Sequence, residues 1–340
     1  MIPRTEDLCQ TPSWHEAIAN AFTCPEELIS YLELDQSLLP AARAAALQFG
    51  LRVPREYVDR MEKGDPQDPL LLQVLPLGAE LEPQPGFVTD PVGDLAAAPA
   101  AGVLHKYHGR ALLITTGACA VNCRYCFRRH FPYQEASAYL DRWQSALDYL
   151  SRDSSISEVI LSGGDPMMVA DSRLSELFQA LEAIPHLTRL RIHTRLPVIV
   201  PQRITEGIIG ELSQIRLNTT MVIHSNHANE LTPVVCQALK KLRGSGVTLL
   251  NQSVLLKKIN NDLETQIQLC EALFDAQVIP YYLHLLDPVL GAAHFDVCQD
   301  EARLLYKQLL QRLSGYLVPK LVFEESGKAS KIPIELGGWL

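Results

Sequence analysis

The 340-residue sequence predicts an α/β fold in which parallel strands form a closed or partly closed barrel. Short apolar runs rich in β-branched residues recur at intervals of roughly 30 residues, and helical periodicity lies between most of them. This alternation favours right-handed βαβ units with a parallel sheet, which is either a barrel or doubly wound. The barrel is favoured because polar residues lie near the carboxyl ends of successive strands, where barrels carry their chemistry.

Seven runs have the character of buried strands, namely ALLITT from 111, EVILS from 158, LRIHT from 190, LNTTMVIH from 217, TLLNQSVLL from 248, IPYYLHLL from 279 and YLVPKLVFE from 316. One intervening helix is indicated by apolar residues that share a face at spacings of three and four, namely Leu174, Leu177, Phe178, Leu181 and Ile184. The polar residues near the strand ends are Ser162, His193, His224, Gln252 and Asp287.

The part of the chain before the first barrel strand divides into two compositions. Residues 14–51 carry helical periodicity in WHEAIANAF, PEELISYLEL and AARAAALQFGL. Residues 62–101 are rich in Pro, Gly and Asp, which favours turns and extended chain over helix. We therefore expect a helical N-terminal region with a wrapping linker over residues 1–104, followed by the barrel over residues 105–340.

Composition restricts the class of protein. With 47% hydrophobic and 20% charged residues, the chain can bury a large core. The net charge of -9 and the pI near 5.6 argue against nucleic acid as a partner, because binding phosphates requires a basic surface. The N-terminus lacks a basic region followed by an apolar one, and no stretch of about 18 uncharged apolar residues occurs later, so we expect a cytoplasmic protein without a membrane span.

In the cytoplasm thiols stay reduced, so the eight cysteines do not predict a disulfide framework. Five of them are scattered singly, and we expect these to be small buried apolar side chains. They are Cys9, Cys24, Cys236, Cys270 and Cys298.

The other three cysteines lie in TTGACAVNCRYCFRRH, directly after the first predicted barrel strand, with the spacing C-x3-C-x2-C. Cys119, Cys123 and Cys126 can converge on one inorganic centre. A [4Fe–4S] cubane normally takes four cysteines, so three would leave one iron open to another ligand. The main alternative is a zinc site of the Cys3His type that uses His130, in a non-catalytic interaction module.

The triad and the turn LSGGDP at the end of the next strand resemble the radical S-adenosylmethionine superfamily, from about residue 105 onward. The resemblance implies a partial (β/α)6 TIM-like barrel and an oxygen-sensitive cluster whose open iron binds S-adenosylmethionine. Reduction by a donor such as a flavodoxin or ferredoxin then yields a 5′-deoxyadenosyl radical. The turn would approach the methionine amino group through its backbone, with Ser162, Gly163, Gly164 and Asp165.

A closer resemblance covers most of the chain from the linker onward. The motifs GDPQDP, YHGRALLITT, CRYCFRR, LSGGDP, LPVIVPQRIT, NQSVLL and DPVLGAAHF are similar to those of the lysine 2,3-aminomutase family. The chain is most similar to its short bacterial branch, which makes β-lysine for modifying elongation factor P. The resemblance implies conversion of α-lysine to β-lysine with pyridoxal phosphate as a second cofactor.

The same resemblance implies roles for individual residues. Lys331 would hold pyridoxal phosphate as a Schiff base, and Arg110 with Tyr107 would contact its phosphate. Arg128 would pair with the substrate carboxylate, because its planar guanidinium suits a bidentate contact. His224, Gln252, Asn251 and Arg195 would line the adenosylmethionine and cofactor site.

Asp287 and Glu324 match two acids that hold the side-chain ammonium of lysine in the family. Position 324 is Glu where better-known members have Asp, which is one methylene shorter. The depth of the substrate pocket therefore cannot be carried over from those members. The two acids favour lysine over glutamate as substrate, against the alternatives of a glutamate 2,3-aminomutase or a radical enzyme without pyridoxal phosphate. The chain stops nine residues after Lys331, earlier than larger members, so the oligomeric state does not transfer, and a homodimer is a reasonable expectation.

Overall fold

The computed structural model describes residues 13–133 and 143–336, and nine strands within them form one sheet. The strands are β1 Val103–Tyr107, β2 Arg110–Thr116, β3 Glu158–Gly163, β4 Arg189–Thr194, β5 Asn218–Ile223, β6 Thr248–Val254, β7 Ile279–His284, β8 Lys320–Phe323 and β9 Ile332–Pro333. Their order in the sheet is their order in the chain. Strands β2 to β8 are parallel, whereas β1 and β9 run antiparallel to their neighbours at the two edges.

The helices of the described residues lie before and between these strands. They are α1 Trp14–Ala19, α2 Pro25–Tyr31, α3 Leu39–Gln48, α4 Arg55–Val58, α5 Gln144–Arg152, α6 Asp171–Glu182, α7 Leu196–Ile199, α8 Glu206–Gln214, α9 Pro233–Gly244, α10 Leu263–Asp275 and α11 Gln299–Arg312. Each connection from β2 to β8 contains at least one of these helices. Six β/α units followed by β8 therefore form an open, partial barrel, and the predicted fold class is confirmed.

The parallel strands pack one face against the helices. Leu113, Leu161, Ile192, Met221 and Leu249 stand in register across β2 to β6, and all are buried in the main core. Alternate positions such as Leu112, Ile160 and Val222 instead line the concave side. This period of two explains why the core face and the functional face share the same strands.

The N-terminal region packs into the same core. Phe22, Leu28 and Tyr57 belong to one buried cluster with side chains of the barrel helices, such as Leu174 and Leu239. Helix α1 begins with a capping box, in which Ser13 and Glu16 satisfy each other's backbone amides. The division of the chain at residue 104 stays a prediction, although the core itself is continuous across it.

The Pro- and Gly-rich segment 62–101 has no α-helix and no strand, as its composition predicts. Many of its apolar residues are nevertheless buried, including Leu70, Leu71, Val74 and Leu75, although Leu81, Val88 and Leu95 are exposed. The segment therefore wraps tightly around the barrel and presents polar side chains to its concave face.

Two strands were missed. Strands β1 and β2 form a hairpin in which Tyr107 pairs with Arg110, and Gly109 supplies the positive φ of 72° that the tight turn requires. The two-residue strand β9 pairs with β8 and brings the segment that ends in Lys331 back over the sheet. A strand of that length has no detectable period in sequence.

The lone cysteines only partly match expectation. Cys270 is buried, Cys24 and Cys236 are half-buried, and Cys9 lies outside the described residues. The expectation is wrong for Cys298, whose side chain is exposed at the start of α11. In the ranges that the structure describes, no helix has both the length and the apolar character needed to cross a bilayer.

Candidate active site

A cavity of about 620 Å³ lies on the concave side of the sheet, at the carboxyl ends of the parallel strands. The five strand-end polar residues named from sequence all line it, as do all the predicted cluster, cofactor and substrate residues except Asn251. The latter are Cys119, Cys123, Cys126, Tyr107, Arg110, Arg128, Ser162, Gly163, Gly164, Asp165, Arg195, His224, Gln252, Asp287, Glu324 and Lys331. The topology thus brings together residues from five strands and from the loops that follow β2, β3, β4, β5, β7 and β8.

Asn251 is the exception. Its amide accepts a hydrogen bond from the Ser225 backbone N–H at 2.9 Å and donates one to the Ser225 carbonyl at 3.0 Å. The predicted role in lining the cofactor site is therefore wrong, because this side chain closes the end of β5 against β6 instead.

The cysteine loop follows β2 and is held from outside by the wrapping segment. Glu80 pairs with Arg124 at 2.6 Å and with Arg129 at 2.7 Å, and all three side chains are buried. The Arg124 amide also donates to the Gln73 carbonyl at 2.9 Å. Because both flanks of Cys126 are fixed in this way, its thiol is positioned before any metal binds.

The three thiols influence one another electrostatically. Burial raises the pKa of Cys126 to about 11, and the nearby Cys123 adds to this rise. Burial also raises the pKa of Cys119 well above its usual value, and Cys126 makes the next largest contribution. Thiols in this state bind metal by exchanging their protons for it. The set of three soft donors around one cavity fits an iron–sulfur cluster with one open iron.

The zinc alternative has no support in the geometry. His130 Nε2 lies 3.0 Å from the Leu290 carbonyl oxygen, and His130 does not line the cavity that the cysteines share. Among the described residues, no three His, Cys, Asp or Glu side chains are grouped closely enough to bind a single metal ion. A [4Fe–4S] cubane does not require such close grouping, because each cysteine binds a different iron atom of the cluster.

The Gly-Gly-Asp turn packs directly on the cysteine loop. Gly163 has a φ of 110°, and a Cβ there would lie 2.7 Å from the Thr116 carbonyl oxygen. The Gly164 amide donates to that same oxygen at 2.7 Å, and the Asp165 amide donates to the Ala118 carbonyl at 2.8 Å. Only glycine fits this close approach, which leaves a cradle of bare backbone beside the cysteines.

Asp165 serves the turn through its carboxylate. It accepts hydrogen bonds from Thr194 Oγ1 at 2.6 Å, from the Arg195 amide at 2.8 Å and from the amides of Met167 and Leu196. With four donors on two oxygens, this carboxylate is occupied within the protein. Asp165 therefore fixes the turn to the end of β4.

A line of alternating charges crosses the cavity wall. Arg128 Nε pairs with Asp94 at 2.7 Å, Asp94 pairs with Lys106 at 2.6 Å, Lys106 contacts Glu324 at 3.2 Å, and Glu324 pairs with Lys331 at 2.7 Å. Burial opposes the charge on Asp94, but Arg128 and Lys106 outweigh it and hold its pKa below the usual value. Sequence reasoning missed Asp94 and Lys106, because ion pairs between distant segments leave no local pattern.

Asp287 lies at the Lys331 end of this line. Burial raises its pKa to about 7, Lys331 acts in the opposite sense, and Glu324 adds to the rise. Tyr107 and Arg110 lie nearby on the β1–β2 hairpin, with the Arg110 guanidinium 4.6 Å from the Tyr107 ring centre. The predicted lysine, its acids and its phosphate contacts therefore share one end of the cavity.

Two histidines face the cavity, each with one ring nitrogen that accepts or donates no hydrogen bond among the described residues. The Nε2 atoms of His193 and His284 are buried and have no hydrogen-bond partner among the described residues. Burial lowers the pKa of both well below the usual value, so both rings are neutral. His284 was missed because IPYYLHLL looks like an apolar strand. His224, in contrast, is partnered, since its Nε2 lies 3.0 Å from the Tyr125 hydroxyl.

Comparisons with known proteins agree with this geometry. Residues 108–188, which contain the triad and the glycine turn, match the family described as a 4Fe-4S single cluster domain. The chain is 52% identical over 330 residues to the L-lysine 2,3-aminomutase of Escherichia coli (strain K12), a match that covers 96% of each chain. The chain belongs to the L-lysine 2,3-aminomutase family.

Other members of the family show the same relation. The L-lysine 2,3-aminomutase of Haemophilus influenzae is 47% identical over 97% of this chain and 98% of its own length, and that of Clostridium subterminale is 32% identical over 94% and 77%. The resemblance seen in the sequence is thus confirmed. Membership in the L-lysine 2,3-aminomutase family implies an isomerase with a [4Fe–4S] cluster, S-adenosylmethionine and pyridoxal phosphate, which the donor set of the cavity fits.

Proposed function

We propose that the chain is a lysine 2,3-aminomutase that moves the α-amino group of L-lysine to C3 and forms β-lysine. The observation that carries the proposal is the distribution of charge along one cavity. Arg128 stands at one end beside the cysteines and the glycine turn, and Asp287 and Glu324 stand with Lys331 at the other. A substrate with a carboxylate and a distant ammonium matches both ends.

Arg128 is prepared to bind the carboxylate. Its Nε is held by Asp94, and its Nη1 donates to Ser162 Oγ at 3.1 Å, so the guanidinium is held at two nitrogens while the side chain still lines the cavity. A planar donor held in this way orients a carboxylate better than a flexible lysine could. This contact would set the position of the reacting carbons relative to the cysteine loop.

Lys331 and Glu324 have linked roles. In the structure the Lys331 ammonium occupies one oxygen of Glu324, and Lys106 contacts the other. Lys331 would hold pyridoxal phosphate, and that Glu324 oxygen would then be available to another cation. Glu324 and Asp287 would then hold the ε-ammonium of lysine, and the longer Glu side chain suits a carboxylate that must also reach Lys106.

The cofactors supply chemistry that no side chain can. When bound, the reduced cluster and S-adenosylmethionine provide a carbon radical for hydrogen abstraction, and pyridoxal phosphate provides the ring that stabilises the radical as the amino group migrates. Cys119, Cys123 and Cys126 would hold the cluster, the Gly163–Asp165 backbone would contact the methionine amino group, and Arg110 with Tyr107 would contact the phosphate. The protein's own contribution is to orient the substrate and to exclude water.

The decisive experiment uses the full chain with its cluster reconstituted without oxygen. The protein is incubated with L-lysine, S-adenosylmethionine, pyridoxal phosphate and dithionite, and the amino acids are separated and quantified. We expect β-lysine from lysine and no β-glutamate from glutamate. Turnover of glutamate alone, or of neither substrate by protein with full iron, S-adenosylmethionine and pyridoxal phosphate content, would overturn the substrate assignment.

Lys331 is tested separately with a matched control. Lys331→Ala should lose the visible absorption of bound pyridoxal phosphate while its iron content stays at the wild-type value. Lys328→Ala removes a neighbouring lysine that is exposed and pairs only at 3.5 Å with Glu325, and it should keep both. A bound chromophore in Lys331→Ala would show that another amine holds the cofactor.

The wider setting follows from the same assignment. We propose that an external one-electron donor of the flavodoxin or ferredoxin type reduces the cluster in the cytoplasm, and that the product serves in modification of elongation factor P. A homodimer is the proposed assembly. The proposed division into residues 1–104 and 105–340 assigns cofactor chemistry to the second part and clamping of its loops to the first.

A further inference from the structure

A buried arginine contacts the sulfur of one of the three cysteines. Arg195, directly after β4, donates a hydrogen bond from Nη1 to Cys123 Sγ at 2.8 Å. The side chain is 6% exposed, and no other cysteine of the loop has a hydrogen bond of this kind among the described contacts. The contact joins a fixed positive charge to one corner of the cluster site.

The arginine is held from behind by a set of buried polar groups. Its Nη2 donates to Gln73 Oε1 at 2.6 Å, to Glu230 Oε2 at 2.9 Å and to the Tyr57 hydroxyl at 3.2 Å, and these three residues have no exposed surface. An arginine guanidinium keeps its charge in proteins, and here three buried acceptors hold it in place. The guanidinium is therefore permanently charged and unable to turn away.

Glu230 is itself anchored, so the arrangement is rigid on both sides. Its Oε1 accepts hydrogen bonds from the backbone amides of Asn226 at 2.8 Å and His227 at 3.0 Å. A buried ion pair of this kind contributes little net stability, because desolvation of the two charges offsets their attraction. A role beyond folding is therefore the better explanation for its position against a cysteine sulfur.

We propose that Arg195 is a positioning residue for the cluster that raises its reduction potential through the Cys123 sulfur, and that Glu230 sets how much of that charge the cluster experiences. The inference rests on the proposed cluster at the three cysteines. Uptake of one electron adds negative charge to the cluster and its thiolates without a proton. A donor and positive charge at a sulfur stabilise that reduced state, which is how hydrogen bonds tune cluster potentials.

The test is a redox titration of the reconstituted protein, followed by electron paramagnetic resonance in the absence of S-adenosylmethionine, lysine and pyridoxal phosphate. Arg195→Gln should shift the midpoint to a more negative value. We expect about a tenfold lower ratio of reduced to oxidised cluster at a fixed potential, which corresponds to about 59 mV for one electron. Glu230→Gln removes the opposing negative charge and should shift the midpoint to a more positive value.

The opposite signs separate tuning from a merely structural role. If the two residues only supported the fold, both substitutions would loosen the same packing and move the potential in the same direction. Arg203→Gln is the matched control, since Arg203 is also fully buried but pairs with Asp171 and the Val169 carbonyl rather than a sulfur. Its midpoint should equal that of the wild type.

Iron and sulfide analysis of the wild type shows whether the cluster is bound at all. This result is independent of whether Arg195 changes the reduction potential. If Arg195→Gln retains too little iron to titrate, Arg195→Lys takes its place, because it keeps the charge and should give a smaller negative shift. Shifts of opposite sign in the Arg195 and Glu230 variants support the proposal. Equal midpoints, or shifts of the same sign, overturn it.

Discussion

The raised pKa of Asp287 allows a quantitative test of what it costs to ionise a carboxyl in the cavity. Burial raises the pKa of its carboxyl from the usual 3.8 to about 7 in the folded protein. The charged groups that act on it are Lys331 and Lys106, which lower the pKa, and Glu324 and Asp94, which raise it. The perturbation is Asp287→Asn, which keeps the shape of the side chain and removes its ionisation.

The sign follows from linkage between protonation and folding. A carboxyl whose pKa is raised by folding holds its proton more tightly in the folded state, so stability falls as the pH rises from the usual pKa to the folded one. A difference of about three pKa units at about 1.4 kcal/mol each gives a loss of about 4 kcal/mol at pH 8. At pH 5 the loss is about 2 kcal/mol, since only part of that interval has been crossed. The asparagine variant avoids both losses.

Urea unfolding of the cofactor-free protein, followed by circular dichroism at pH 5 and pH 8, measures the effect. We expect Asp287→Asn to exceed the wild type in free energy of unfolding by about 4 kcal/mol at pH 8 and by about half as much at pH 5. Asp296→Asn is the control, because Asp296 is an exposed acid a short distance along the same chain segment. It should show no such change with pH.

Ionisation of Asp287 lowers the stability of the fold, but it should improve binding of the substrate. An ionised Asp287 attracts the ε-ammonium of lysine, so the KM of the wild type for lysine should fall as the pH rises from 6 to 8. In Asp287→Asn the KM should be higher and should not follow this pH dependence. The reasoning is refuted if the variant and the wild type differ in stability by the same amount at both pH values.

Three further substitutions probe other parts of the site. Gly164→Ala places a Cβ 2.8 Å from the Gly117 carbonyl carbon, so the cysteine loop must shift, and iron per chain should fall below the wild-type value with about 1–3 kcal/mol of lost stability. Arg128→Lys keeps the charge but loses the planar contact, and the KM for lysine should rise about tenfold or more with iron content unchanged. Glu324→Gln leaves Lys106 and Lys331 without their shared carboxylate, and the KM for lysine should again rise about tenfold or more. An unchanged KM in either variant would remove that residue from the substrate site.

The elements that could be predicted are those with a local signature. The seven parallel strands could be predicted because each has buried apolar residues on the face that packs against the helices, and in several strands these alternate with half-buried residues on the concave side. The triad and the Gly-Gly-Asp turn were identified because a cluster and a close backbone approach require fixed spacing within one loop. The hairpin strand β1 was missed because it is short, follows an Ala-rich stretch and ends in the polar residues HKY.

What could not be predicted is the pairing of distant charges. Asp94 lies in a segment whose composition indicates turns, and nothing near it in sequence shows that it meets Lys106 and Arg128. Glu80 is likewise inconspicuous until the fold places it between Arg124 and Arg129. Such pairs depend on topology, because each partner is an ordinary charged residue until burial makes its partner necessary.

The wrapping segment connects these observations. Gln73, Glu80 and Asp94 all come from residues 62–101, and each holds an arginine that belongs to the site: Arg195, the pair beside Cys126, and Arg128. None of the three need touch a cofactor to matter. A substitution that frees one of these arginines leaves a buried cation without its partner beside a reacting group, which is costly to the fold and to the site alike. The segment that looks most like a linker in sequence is therefore the one whose polar residues hold the catalytic loops in place.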